Sequence, residues 1–123
     1  GQNGLGAKIT AVFSTEFIVE TFDDQNNIFY RQVFSDGLKT THKPSVIKIT
    51  DGVPKCISGE KIKLKKSDLK AHTKITFTPD YEFMKTSFEE LSTTLNKLIY
   101  TRVYQAAAYI KIPIVFNDKK IYI

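Results

Sequence analysis

Two apolar periods divide this chain, and the order in which they occur fixes its fold class. From Glu16 to Thr78 apolar residues tend to recur at every second position, in short runs separated by turn residues. From Phe88 to Ala106 they recur every three or four positions: Phe88, Leu91, Leu95, Leu98, Ile99, Val103 and Ala106. The first pattern is that of half-buried strands and the second that of one long amphipathic helix. Strands grouped before a helix imply an α+β fold rather than alternating β-α-β units. The expected architecture is a two-layer sandwich, a mostly antiparallel sheet with one long and one short helix on one face.

The runs can be placed one by one. Glu16–Phe22 alternates, and Asp23 to Asn27 is a dense turn signal before a second strand, Ile28–Phe34. Asp36-Gly37 closes that second strand, and Lys39–Pro44 reads as loop. Ser45–Ile49 is a third strand, bounded by Thr50-Asp51-Gly52. Thr73–Thr78 alternates most cleanly, with Thr73, Ile75 and Phe77 on one side, and Pro79-Asp80 ends it. Ser87-x-x-Glu90, or Thr86-x-x-Glu89 in a competing register, is a capping-box signature for the long helix. That helix reads as core, with no cofactor site. Ile112–Phe116, the turn Asn117-Asp118 and Lys119–Ile123 form a last hairpin.

A chain of 123 residues makes one domain at most, and 41% hydrophobic with 25% charged residues is ordinary globular composition. No run approaches the roughly 18 apolar residues of a membrane span, and no signal-peptide pattern opens the chain. It starts on a glycine rather than Met, which reads as a piece of something longer. One cysteine, Cys56, excludes an internal disulfide and a Cys-rich zinc site. His42 and His72 are too far apart in sequence, with only Cys56 between them, to suggest a metal site or a catalytic triad. The net charge of +5 fits nucleic-acid contact, but also the lysine excess that keeps many proteins soluble.

Functional chemistry concentrates at the start. Gly1, Gly4 and Gly6 leave a backbone without Cβ at three close positions, able to approach a ligand. Behind them Leu5, Ile9, Val12 and Phe13 form the apolar stripe of a short helix, Leu5–Phe13. A glycine loop feeding a helix N-terminus suits phosphate, because the first N–H groups lack internal partners and the dipole end is positive. Lys8 adds a cation. The plain alternative is a helix start with a glycine turn in front. The spacing is GxxGxG, so it is neither the dinucleotide fingerprint nor a Walker A loop.

Pro54–Ala71 is compositionally odd. Six lysines, or seven with Lys74, stand against only Glu60 and Asp68. Lys61-Ile62-Lys63-Leu64-Lys65 alternates as an exposed edge strand guarded by lysines would. One reading is a DNA-facing basic loop and the other a solvated hairpin. The second is favoured because no aromatic residue interleaves with the lysines to stack on bases.

The stretch GQNGLGAKITAVFSTEFIVET resembles the phosphate-binding segment of the ATPase domain of eukaryotic and viral-type DNA topoisomerase II, where a GRNGYGAKL-like box precedes an FSTEF-like segment. TKITFTPDYEF, TRVYQAAAY and the final hairpin resemble further segments of that domain. This sequence departs from the family at Gln2 (usually Arg), Leu5 (Tyr), Gln105 (an acid) and Asp118 (Gly). The resemblance covers essentially the whole chain but only the C-terminal part of a GHKL-type ATPase domain. Residues 54–72 are expected to be a basic insertion, because the family's connection there is shorter.

The resemblance implies ATP binding through Gln2, Asn3, Gly4, Leu5, Gly6, Ala7 and Lys8, with Thr73 near the adenine. It implies Mg2+ as cofactor, double-stranded DNA as the parent protein's substrate and a homodimeric parent. The parent would be an ATP-dependent type II topoisomerase, intracellular: nuclear if cellular, in host cytoplasm or virion if viral. The family's general-base Glu, Mg2+-binding Asn and adenine-binding Asp lie before the glycine box, and a further lysine lies in the following transducer domain. This chain therefore holds no catalytic residue and alone should not turn over ATP; Glu16 and Glu20 read as strand residues. The alternatives are another GHKL ATPase (gyrase B-like, heat-shock-chaperone-like or MutL-like) or a non-enzymatic basic nucleic-acid-binding module. The FSTEF and RVY segments argue against the other ATPases.

Overall fold

A computed structural model describes residues 5–111 and 113–121. The chain divides into two units, Gly1–Asp80 and Tyr81–Ile123. In the first, a short helix α1 (Leu5–Val12) leads into strand β1 (Ser14–Asp23), then β2 (Ile28–Ser35), the short β3 (Thr40–Thr41), β4 (Ser45–Thr50), β5 (Val53–Ser58) and β6 (His72–Pro79). Every described pairing is antiparallel, and the main order is β5-β4-β2-β1-β6, with β3 paired to β2. The α+β class and the antiparallel sheet are those the alternating pattern predicts.

The register explains the core. Cys56, Ile47, Phe29, Phe22 and His72 lie opposite one another in a single row across all five strands. Phe22, Phe29 and Ile47 are buried, and Ile49, Cys56, Ile62, Leu64 and Leu69 pack against them. Each such apolar side chain removed from water contributes roughly 1.5–3 kcal/mol, so this row is the main source of stability in the unit. Because side chains alternate along β1, Phe17 belongs to the other face, where it is buried with its ring centroid 6.4 Å from that of Phe34.

Three features depart from expectation. Residues 61–65 do not form an edge strand. They run as a strap whose alternate residues Ile62 and Leu64 pack on the buried row, while Lys61, Lys63 and Lys65 stay exposed. The edge is instead β5, joined to β4 through Asp51-Gly52, both with positive φ (52° and 76°), a tight hairpin geometry. Thr40–Thr41, expected as loop, adds a short pairing to Phe34 and Ser35.

In the second unit α2 (Phe88–Ile110) is followed by β7 (Ile114–Phe116) and β8 (Lys119–Ile121), an antiparallel pair. Ser87 is the N-cap: its Oγ accepts from Glu90 N–H at 3.2 Å, so the Ser87 register is the one adopted. The Glu90 carboxylate accepts from Thr86 Oγ1 at 3.1 Å, so the acid turns to the neighbouring hydroxyl. Lys111 closes the helix in the left-handed conformation, its N–H bonded to Ala107 O. The rings of Tyr100 and Phe116 meet edge-on at 5.9 Å, tying helix to hairpin. The expected core stripe is only partly buried: Leu91, Leu95, Val103 and Ala106 are half-buried and Phe88, Leu98 and Ile99 exposed, while the enclosed residue is Ala107, beside the stripe. Of the last hairpin as read from sequence, Ile112, Tyr122 and Ile123 lie outside the described residues.

Candidate nucleotide-binding site

Helix α1 is fixed at one end and open at the other. At its C-terminal end Phe13 N–H bonds Ile9 O at 3.1 Å, and the buried Ser14 donates its hydroxyl to Thr10 O at 2.6 Å. Asp36 and Gly37 N–H groups then bond Thr15 O and Ser14 O, both at 2.9 Å, while Asp80 N–H bonds Phe13 O at 2.8 Å. The turn after β2 and the end of β6 thus clamp the helix–strand junction. Gly37 makes the clamp possible: its φ is +63°, and a Cβ there would lie 2.7 Å from Val12 O. Sequence reading marked Asp36-Gly37 only as a strand end, although the Asp-Gly pair was the signal.

The other end of the helix carries the expected site. Leu5, Gly6, Ala7 and Lys8 make its first turn and are exposed, with no acidic side chain among them. By helix geometry the N–H groups of Leu5, Gly6 and Ala7 have no acceptor within the helix, so donors point out of the N-terminus. A Cβ at Gly6 would meet nothing within 4 Å. Packing among the described residues therefore gives no reason for glycine at this position, where Ala would favour the helix by about 1 kcal/mol. The stripe Leu5, Ile9, Val12 and Phe13 is exposed too, and the helix buries Ala11 instead. Gln2, Asn3 and Gly4 lie outside the described residues.

Thr73 is on a different element. It pairs with Thr21 on β1 and is exposed, on the same sheet face as Phe17 and Phe77. Helix α1 ends beside Pro79-Asp80, so Thr73 lies about 20 Å along β6 from that junction. The structure brings Leu5, Gly6, Ala7 and Lys8 together on one turn and leaves Thr73 on the strand.

The remaining reactive groups are accounted for locally. Cys56 Sγ donates to the Ser58 carbonyl at 3.3 Å, His42 Nε2 lies 2.9 Å from Ser35 Oγ, and His72 Nδ1 is 2.6 Å from Lys70 O. Among the described residues no three His, Cys, Asp or Glu side chains gather as a metal site would require. No helix among them is long and apolar enough to cross a membrane.

No protein-family model matches the chain. It is 36% identical over 122 residues to DNA topoisomerase 2 of Meyerozyma guilliermondii, covering 98% of this chain and 7% of that protein. It is 39% identical over 90 residues to DNA topoisomerase 2 of Pisum sativum, covering 73% of this chain and 5% of that one. The crystal structure of the ATPase region of Saccharomyces cerevisiae topoisomerase II, 28% identical, superposes with a TM-score of 0.67 over 100% of this chain and 28% of that chain.

An antiparallel sheet with its helices that superposes end to end on such a region is a segment of a nucleotide-binding ATPase domain of the GHKL type. The chain belongs to the DNA topoisomerase II family and forms part of its ATPase domain. It spans well under a tenth of the curated relatives it matches.

Proposed function

We propose that this chain is part of the ATP-binding and ATP-hydrolysing N-terminal gate of a type II DNA topoisomerase. ATP-driven closure of a dimer would there drive passage of one DNA duplex through a break in another. The observation that carries the reading is the superposition of the whole chain on a topoisomerase II ATPase region, on top of sequence identity above 30% to full-length members.

The residues fit a triphosphate. The open first turn of α1 offers backbone donors to β- and γ-phosphate oxygens, Lys8 supplies a cation, and Gly6 keeps the approach clear. Gln2, Asn3 and Gly4 would extend this cradle, with Leu5 and Ala7 contributing main-chain groups, and Thr73 would sit by the adenine. ATP arrives with Mg2+, which neutralises phosphate charge; by family resemblance the metal ligand and the water-activating Glu lie outside this chain. Its own residues bind and orient the triphosphate. Residues 54–72 are proposed to be a basic insertion in a connection that is shorter in the family. An intracellular setting follows from the same reading.

Decatenation of interlinked DNA circles by the intact protein tests the proposal. ATP-dependent release of single circles, abolished by a non-hydrolysable analogue after one round, is the expected result. No unlinking in the presence of ATP and Mg2+ would contradict it.

A further inference from the structure

The strap after β5 carries a row of cations held in place by its own backbone. Gly59, at φ +75°, lets the chain pass so close to Pro44 and Ser45 that a Cβ would lie 2.3 Å from Pro44 O. Ile62, Leu64 and Leu69 then pack on the buried row of Phe22, Phe29 and Ile47. Lys66–Leu69 winds into a single 3-10 turn closed by Asp68, whose Oδ2 accepts from Lys65 N–H at 2.8 Å. Inward packing of the alternate apolar residues leaves Lys61, Lys63, Lys65, Lys66 and Lys70 exposed.

These charges are not neutralised locally. Among the described residues none of the five makes an ion pair, and the nearby acid Asp68 is occupied with the backbone. A cleft of about 630 Å³ beside the strap adds Lys43, against Glu60, while the Arg31 that also lines it is paired with Glu20; a second groove adds Lys55. Lysines two apart on extended chain repeat about every 6.6 Å. Successive phosphates of a duplex strand rise about 3.4 Å along the axis but also wind around it, so their spacing along the strand is comparable to that of such a row. No aromatic side chain lies between residues 53 and 71, so stacked single-stranded bases have no platform here.

We propose that the outer face of the 60–71 strap is a docking surface for double-stranded DNA, contacted through its phosphates without base readout. The choice of duplex as partner rests on the strand-passage reading, whereas the cation row does not depend on nucleotide binding. Sequence reading favoured a merely solvated hairpin. What alters that balance is that the lysines are exposed on a pinned strap, with Lys61, Lys63 and Lys65 alternating with the inward-packed Ile62 and Leu64.

Acylation of lysines in the intact protein, followed by mass spectrometry without ATP, tests this surface independently of gate function. With a short duplex at low salt, modification of Lys61, Lys63 and Lys65 should fall about threefold or more, with recovery at high salt. Lys97 and Lys111, in the other unit, should be unaffected. The triple variant Lys61→Gln, Lys63→Gln, Lys65→Gln should lower the salt slope of duplex binding by about 2–3, one per lost phosphate contact. Unchanged modification, uniform protection of all lysines, or protection by an acidic polypeptide but not by duplex would overturn the proposal. A protein that fails decatenation yet shows the footprint would refute the gate and leave the surface standing.

Discussion

Glu20 on β1 stands directly opposite Arg31 on β2, with Arg31 Nε 3.3 Å from Glu20 Oε1. On its other side Glu20 faces Lys74 of β6. One carboxylate therefore separates two cations on a row of the face that carries the strap. Arg31 Nε is buried without a well-aligned hydrogen bond, so the contact is one of charge rather than directed bonding. Glu20→Gln would leave Arg31 and Lys74 on either side of β1 with no negative charge between them. With Arg31 about one-third exposed, solvent screening holds the expected loss to about 1 kcal/mol or less. Urea denaturation should show that loss at low salt and a smaller one at high salt. Equal losses at both would mean that packing, not charge, is responsible.

Two glycines separate the effects of strain and space. Gly59 and Gly52 both have φ near +75°, but a Cβ at Gly59 would overlap Pro44 and Ser45, while one at Gly52 meets nothing within 4 Å. Gly52→Ala should cost about 1 kcal/mol, from the left-handed backbone alone. Gly59→Ala should cost roughly 3 kcal/mol or more and loosen the lysine strap, because backbone must move as well. Thermal denaturation of the two variants checks the order, and equal costs would contradict it.

The last hairpin turns on Asn117 and Asp118, with φ of 48° and 65°. Such a turn favours glycine at its second position. Asp118→Gly should stabilise β7–β8 by roughly 0.5–1 kcal/mol. Amide exchange at Phe116 and Lys119 should slow; faster exchange would show that the aspartate stabilises the turn.

Asp23 closes the β1–β2 turn as an acceptor. Its carboxylate takes the Asn26 side-chain amide at 2.7 Å and the Gln25 and Asn26 N–H groups at 3.0 and 3.3 Å. These bonds, the Asn26 side chain first, hold its pKa below the ordinary carboxylate value. A depressed folded-state pKa means the contribution is present above the unfolded-state value and is lost as pH falls through the folded one. A carboxyl titration followed by NMR should give a midpoint below that of an unstructured peptide, and Asn26→Ala should raise it. A midpoint unmoved by that change would contradict the assignment.

The strands were legible because their alternation survives in the sequence: Phe22, Phe29 and Ile47 each fall where a period of two puts them. The strap was not, since Ile62 and Leu64 alternate with lysines as strand residues would. Only tertiary packing shows that they press on a sheet rather than pair at its edge. Asp51-Gly52 carried the hairpin signal, obscured because Pro54 and Lys55 in the next strand look like loop residues. In the candidate site, Gly6 and Lys8 were readable as a spacing. Ser14 and Gly37, which clamp the helix from behind, bond only backbone partners, Ser14 giving its hydroxyl to Thr10 O and Gly37 its N–H to Ser14 O, and so leave no pattern of paired side chains.

Calorimetric binding of a non-hydrolysable ATP analogue with Mg2+ to the intact protein tests the central claim most directly. The variants to compare are Gly6→Val and Lys8→Ala, both at exposed positions of the first turn of α1. If that turn cradles the phosphates, the unmodified protein binds, and each variant loses about tenfold or more in affinity, roughly 1.4 kcal/mol, with little change in melting temperature. Binding that is indifferent to both substitutions would contradict the account and reduce the glycine box to a helix start.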